Sequence, residues 1–431
     1  MLTKKIGHGS SECVADRAIA PPIKDEFKIT FDTPVIRTLE DNLTFYWMKN
    51  VLNETSRIDL YFDAGSGFTQ PIIASITAAM LLSGSDKKSS QKIHEQLDFF
   101  GAYYDVEVTQ HHCIVHLYAL KENIAQVTST FVEALMDMNC LANELKLIID
   151  EKRQKFAINL QRVSAVAQRN FQQLVFNGTP MKRIIQSRDF SKITTENIRQ
   201  FHQNNYLNGL SRIHVVGDVD VNSISRITDL LKPLASKNKK SKPLRFENLK
   251  TSIHLPKKNA LQSAIRIGKI CINKHHEDYI GFSILCTILG DYFGSRLMKN
   301  IREDKGYTYG IGCMIQELPE TGIFLIVTEV GVDQRELALQ EIKKEIEILQ
   351  TELVPKTELN LVKNYLLGQA LKAADGPYAQ FDLFLGVDMF GLGVNYYDKY
   401  LTELKKIKAI ELRELAKKHL NWDDFTIVTV G

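Results

Sequence analysis

A chain of 431 residues exceeds what one hydrophobic core organises, and 44% apolar with 24% charged residues is the make-up of an ordinary globular protein. A net charge of +3 argues against a dedicated nucleic-acid binder, and no run approaches the roughly eighteen consecutive apolar residues of a membrane-spanning helix. Six cysteines without a C-x-x-C pair argue against a disulfide framework or a zinc ribbon and predict reduced, mostly buried thiols.

Residues 1–26 contain Pro21-Pro22 and no long apolar stretch near the start; they read as a loose lead-in without a signal peptide, so the cytoplasm is the expected compartment. Strand patterns follow over 44–49 and 56–62, the second alternating with period two. Thr69-Gln-Pro71 opens a helix that runs over 72–82 and stops at Gly84; a second helix over 91–99 ends at Gly101. A strand over 110–118 precedes long helices over about 121–138 and 142–175. Residues 232–250 are polar and basic with two prolines, and read as a linker. The order then repeats: a strand over 263–272, helices over 278–289 and 295–304, strands over 307–316 and 322–329, and long helices after Gln334. Runs of strands followed by runs of helices predict an α+β protein of two domains, 27–231 and 251–431, each a mostly antiparallel twisted sheet packed with helices.

The repetition has a fixed offset. Ser90 and Gly101 are spaced like Ser295 and Gly306, and an aromatic residue follows each glycine at Tyr104 and Tyr309; the differences 295 − 90, 306 − 101 and 309 − 104 are all 205. Each half also closes on a similar segment, Arg212-Ile-His-Val-Val-Gly217 and Phe425-Thr-Ile-Val-Thr-Val-Gly431. This pattern reads as a tandem duplication.

The segment 290–310, Gly-Asp-Tyr-Phe-Gly-Ser-Arg-Leu-Met-Lys-Asn-Ile-Arg-Glu-Asp-Lys-Gly-Tyr-Thr-Tyr-Gly, with Gln262-Ser-Ala-Ile-Arg-Ile-Gly268 ahead of it, resembles the pitrilysin, insulin-degrading enzyme and mitochondrial processing peptidase family. The resemblance extends from about Thr30 to Gly431 and implies a clamshell half built from two homologous domains. Its enzymes carry the zinc motif H-x-x-E-H, two histidines four apart with a glutamate general base, completed by a glutamate from a later helix. Here the motif positions read Ser75, Ile76, Thr77, Ala78, Ala79, and 64–85 holds no His, Cys, Asp or Glu. The last ligand is expected within 155–159, which has no carboxylate. The other histidines offer no substitute. On one strand face, His112 and His116 would stand about 13 Å apart; His111 points away, and His94, His275 and His276 read as surface or packing residues.

What the resemblance leaves is an arginine and a tyrosine. In the family's enzymes, residues spaced like Arg302 and Tyr309, in the half without the zinc motif, grip the substrate backbone and polarise its carbonyl. A guanidinium fork beside a phenol suits that task. Tyr307 is the alternative phenol. Arg302 could instead pair with a surface carboxylate, and Tyr309 could be inherited packing, since Tyr104 is aromatic too. The first copy has Leu97 at the offset of Arg302, which makes the arginine particular to the second copy. The expected function is a non-catalytic subunit of a heterodimeric zinc peptidase, metal-free itself. Zinc and H-x-x-E-H would come from a homologous partner chain acting on a peptide substrate, with no nucleic-acid partner. The alternative is a proteolytically inactive scaffold or peptide-binding protein of the same fold.

Overall fold

A computed structural model describes residues 33–40, 42–50, 53–237 and 244–431. The expected lead-in over 1–26 lies outside the described residues, as does the middle of the basic linker, 238–243. The first half runs β1 (Val35–Glu40), β2 (Leu43–Met48), β3 (Thr55–Phe62), α1 (Pro71–Met80), α2 (Ser90–Phe99), β4 (Tyr103–Val108), β5 (Cys113–Leu120), α3 (Ile124–Met136), α4 (Ala142–Asn159), α5 (Val163–Val175), α6 (Thr195–Asn205), β6 (Leu210–Val216) and α7 (Val221–Leu231). The second runs β7 (Thr251–Leu255), β8 (Gln262–Cys271), α8 (Tyr279–Gly290), a π-helical segment (Met298–Asp304), β9 (Thr308–Leu318), β10 (Thr321–Gly331), α9 (Arg335–Thr351), α10 (Lys356–Ala373), α11 (Pro377–Asp388), α12 (Asn395–Lys406), α13 (Ala409–His419) and β11 (Thr426–Val430).

The architecture is α+β. The two sheets have the orders β1-β2-β6-β3-β5-β4 and β7-β11-β8-β10-β9. Apart from β1, the second repeats the first strand for strand: β2 with β6 and β7 with β11 are parallel, and the other neighbours are antiparallel. Helices repeat too. The starts of α4 and α10 (356 − 142), α5 and α11 (377 − 163) and α6 and α13 (409 − 195) each differ by 214.

The central strands of both sheets are buried on both faces, and the second covering comes from the opposite half. On β3, Ile58, Leu60 and Phe62 face the first core, against α3 residues such as Phe131 and Leu135. Arg57 and Asp59 point the other way and are buried as well. There α11 lies over them: Phe381 and Phe384 pack on Tyr46, Met48 and Val216, Asp382 pairs with Arg57, and Asp388 accepts from Tyr46 Oη at 2.9 Å. Burial opposes the charge on Arg57, but Asp382 and Asp59 more than restore it and hold its pKa above the ordinary value. Reciprocally, α5 lies on the second sheet, where Ala167, Phe171 and Val175 join Ala264, Leu325 and Val428. Gly268 is needed for that approach, because a Cβ there would sit 2.8 Å from Phe171 Cζ and 2.1 Å from the Phe324 carbonyl. The hairpin turns after β4 and β9 also meet across the halves, with His111 Nε2 3.0 Å from Glu320.

The structure corrects some local expectations. His111 and His112 lie in the turn before β5, not on a strand face with His116. That strand begins at Cys113 because Thr109 Oγ1 accepts from the backbone N–H groups of His111 and His112 and holds the turn. His275 and His276, read as surface or packing residues, precede α8 in a loop, where His275 does pack on Phe390 and His276 Nδ1 accepts from the Asp278 N–H.

Candidate functional site

Helix α1 carries the positions where the zinc motif was sought. It is apolar nearly all round, with Ile72, Ile73, Ala74, Ile76, Thr77, Ala78 and Met80 buried. Ser75 is half-buried and Ala79 exposed, four residues apart on one helical face, while Ala78 is buried. Facing Ser75 from the neighbouring α4 is Lys152, whose Nζ donates to Ser75 Oγ at 3.1 Å. Burial lowers the pKa of this lysine, an effect that Glu151 partly opposes.

The expected place of the last ligand, 155–159, lies a turn further on. Lys155 pairs with Glu151 on the exposed side, and Phe156 packs at a tilt against Phe190. Zinc requires imidazole nitrogen, thiolate or carboxylate, and this face offers a hydroxyl, a methyl and an ammonium that would repel a dication. The residues do not fit the family's metal. Among the described residues, no group of three or more His, Cys, Asp or Glu side chains is arranged to hold an ion elsewhere. Sequence inspection missed Lys152 because helix register across a separation of 77 residues is set by packing, not by local pattern.

The second candidate region lies beyond α8. The chain re-enters a helix at Arg296 and widens into the π-helical segment Met298–Asp304, where the Lys305 N–H bonds the Asn300 carbonyl five residues back, at 3.0 Å. Packing fixes this segment on two sides. Asn300 Nδ2 donates to Glu341 (3.0 Å) and Glu345 (2.7 Å) on α9, and Arg296 makes a two-pronged pair with Glu358 on α10, both bonds 2.9 Å. Leu297 and Ile301 enter the second core. Gly306 then ends the segment with a φ of +65°, open to glycine without strain.

The wider turn changes which residues correspond between the halves. On burial, Ile93 and Leu97 of the first core match Leu297 and Ile301: 297 − 93 and 301 − 97 are both 204, whereas 306 − 101 is 205. The counterpart of Leu97 is therefore Ile301, not Arg302. The residue accommodated by the π-turn frees Arg302 from the core, a recurrent use of such turns at functional sites.

Arg302 lays its guanidinium on the Phe293 ring, 4.6 Å from the centroid. No carboxylate pairs with it among the described residues, and Phe293 itself is 66% exposed. Tyr309 is 93% exposed. Its exposure has a backbone cause: Thr308 pairs with Val330 and Ile311 with Thr328, so Tyr309 and Gly310 together oppose the single residue Glu329. This bulge lifts the phenol out of the ladder. Thr308 Oγ1 pins it by donating to the Glu329 carbonyl at 2.7 Å.

Tyr307 and Tyr309 do not share an environment. Tyr307 precedes β9 and packs on the second core. Tyr104, the counterpart of Tyr309, is half-buried and bonds His94 Nε2 at 2.8 Å. Among the described residues Arg302 thus has no carboxylate partner and Tyr309 is exposed, whereas Tyr104, the first-half counterpart of Tyr309, is engaged internally.

Residues 192–366 match the family described as "Peptidase M16 inactive domain". Over that segment the chain is similar to the M16 peptidase family. The zinc motif is lacking here, and the matched segment includes Arg302 and Tyr309 but neither Ser75 nor Lys152. A Helicobacter pylori protein named "Non-peptidase homolog YmxG" is 22% identical over 370 residues, covering 83% of this chain and 84% of that one. A Bacillus subtilis protein named "Uncharacterized zinc protease YmxG" is 21% identical over 386 residues, 87% and 92% of the two chains. Among solved structures, an M16 inactive domain from Pseudomonas fluorescens superposes with a TM-score of 0.83 at 20% identity, over 92% of this chain and 98% of that one. A second, titled a protease from Helicobacter pylori, gives 0.81 at 16% identity, over 93% and 99%. At these identities the structural likeness speaks for the shared M16 fold. No helix among the described residues is long and apolar enough to cross a membrane.

Proposed function

We propose that this chain is the metal-free subunit of a two-chain zinc peptidase, its two halves the product of a tandem duplication. A homologous partner bearing H-x-x-E-H supplies metal and general base, and this chain brings Arg302 and Tyr309 to the bound peptide. The observation that carries the reading is the Arg302 guanidinium without a carboxylate partner among the described residues, freed from the core by a π-turn and followed seven residues later by a bulge that projects Tyr309. The guanidinium fork donates to peptide carbonyl oxygens, and the Tyr309 hydroxyl donates to an oxygen that gains negative charge as the carbonyl is attacked. Ser75, Ala79 and Lys152 offer no metal ligands, so the chain alone is inactive in this reading.

The test is kinetic. In the assembled complex, Arg302→Ala lowers kcat/KM by about 10²-fold or more, the size of a lost oxyanion donor. Tyr309→Phe gives a smaller loss, carried mainly in kcat. Unchanged kinetics in both variants removes the role assigned to the pair.

The "non-peptidase homolog" name of the Helicobacter pylori relative favours a second reading, a proteolytically inactive scaffold or peptide-binding protein. In that case the partner lacks H-x-x-E-H and Arg302→Ala changes peptide affinity alone.

A further inference from the structure

Away from Arg302 and Tyr309, a groove of about 780 Å³ opens between the start of α1, the end of α5 and the loop that follows it. Four cations line it: Lys182, Arg183, Arg188 and Lys192. Among the described residues none of the four is in an ion pair; Arg183 alone has a side-chain partner, the Thr69 carbonyl at 3.4 Å. The single carboxylate in the lining, Asp189, is already engaged, accepting from the Gln186 backbone N–H at 2.8 Å. The side-chain amides of Gln173 and Asn177 also line the groove and have no hydrogen-bond partner among the described residues. The groove therefore presents four cationic donors, amide groups that can turn either N–H or oxygen toward a ligand, and no carboxylate left without a partner.

Unpaired like charges held in one concavity repel each other and are relieved by an anion that several of them share. The volume lies within the range of small-molecule sites, on the order of 300–1,000 Å³. No aromatic side chain lines it, so it lacks the stacking platform on which single-stranded nucleic acid is held. Guanidinium forks together with ammonium groups and amide donors match the oxygens of phosphate groups.

We propose that this groove binds a small soluble molecule carrying two or more phosphate groups, with Arg188 and Lys192 among its principal contacts. The site is independent of Arg302 and Tyr309, so its failure and theirs are separable.

The probe is inorganic triphosphate, titrated calorimetrically into the full chain at about 0.15 M ionic strength, where diffuse attraction is screened. The expected result is saturable one-to-one binding, weaker with pyrophosphate and weakest with orthophosphate. Arg188→Glu combined with Lys192→Glu lowers the affinity at least tenfold. Arg226→Glu, an exposed cation on α7 away from the groove lining, leaves it unchanged. Because Arg188 and Lys192 are exposed, circular dichroism of the double variant is expected to match the parent, and Arg188→Lys retains binding. Absence of saturation overturns the proposal, as does an equal loss with Arg226→Glu. Sedimentation with phosphatidic-acid vesicles without any response to free triphosphate overturns the soluble ligand, and tighter binding of an acidic peptide or single-stranded RNA overturns the ligand class.

Discussion

The helix after β3 and the segment after α8 belong to equivalent stretches of two sheets with the same strand order, yet they have diverged in opposite directions. On α1 a hydroxyl, a methyl and an inward-reaching ammonium stand where a metal would need three ligands. Beyond α8 the corresponding regular helix, α2, is replaced by a π-turn and followed by a bulge, which together push an arginine and a tyrosine outward. The contrast teaches that one strand order can carry an apolar helix unfit for metal in one half and project side chains from the other, because neither feature alters the order of the strands.

The largest expected effect breaks the equivalence by pH. In the first half, burial lowers the pKa of His202 from 6.5 to about 4, lowers His112 to about 4 by burial and the Arg212 charge, and holds His214 well below its ordinary value. In the second half, burial lowers His419 as well, but this side chain keeps Asp278 as a partner at 2.7 Å. A group neutral in the fold and protonated when unfolded stabilises fully above pH 6.5 and loses that contribution as pH falls toward 4. For His202 alone this amounts to about 3 kcal/mol. Urea unfolding between pH 7.5 and 4.5 is expected to show the decline, and His202→Gln to flatten it. Parallel curves for parent and variant would remove the effect.

The assignment of core and surface around the π-turn is sharpened by neighbouring substitutions. Ile301→Ala is expected to cost about 3 kcal/mol in urea unfolding, as a fully buried side chain does, and Arg302→Ala less than about 0.5. Equal losses would mean that Arg302 is structural. Gly306→Ala is expected to cost about 1 kcal/mol through its positive φ. The smallest change expected concerns the other region. Restoring histidines with Ser75→His and Ala79→His while Lys152 remains leaves metal analysis without stoichiometric zinc. Tight one-to-one zinc in that variant would show that the lysine does not close the place.

Much of the fold was legible because periodicity and turn residues are local signals. Alternation located β3, and Gly84, Gly101 and Gly306, all three at positive φ, marked turns that follow helical segments. β1 gave no signal because most of its residues are exposed and do not alternate. The exchange of α5 and α11 between the halves was invisible, since α11 buries Phe381 and Phe384 against a sheet more than 150 residues away. The offset of 205 correctly linked Gly101 with Gly306 but misaligned Leu97 with Arg302, because a π-turn shifts correspondence by one residue without any composition cue. Arg302 and Tyr309 were reachable by family resemblance; Lys152, Phe293 and the bulge under Tyr309 needed packing to be seen.

The central claim is that this chain works beside a zinc-bearing homologue. It is tested most directly by purifying the native complex from source cells, identifying its subunits by mass spectrometry and measuring its metal. Stoichiometric recovery of an H-x-x-E-H chain with one zinc per pair is the predicted result. Recovery of this chain alone, or with partners that carry neither the motif nor zinc, would contradict it.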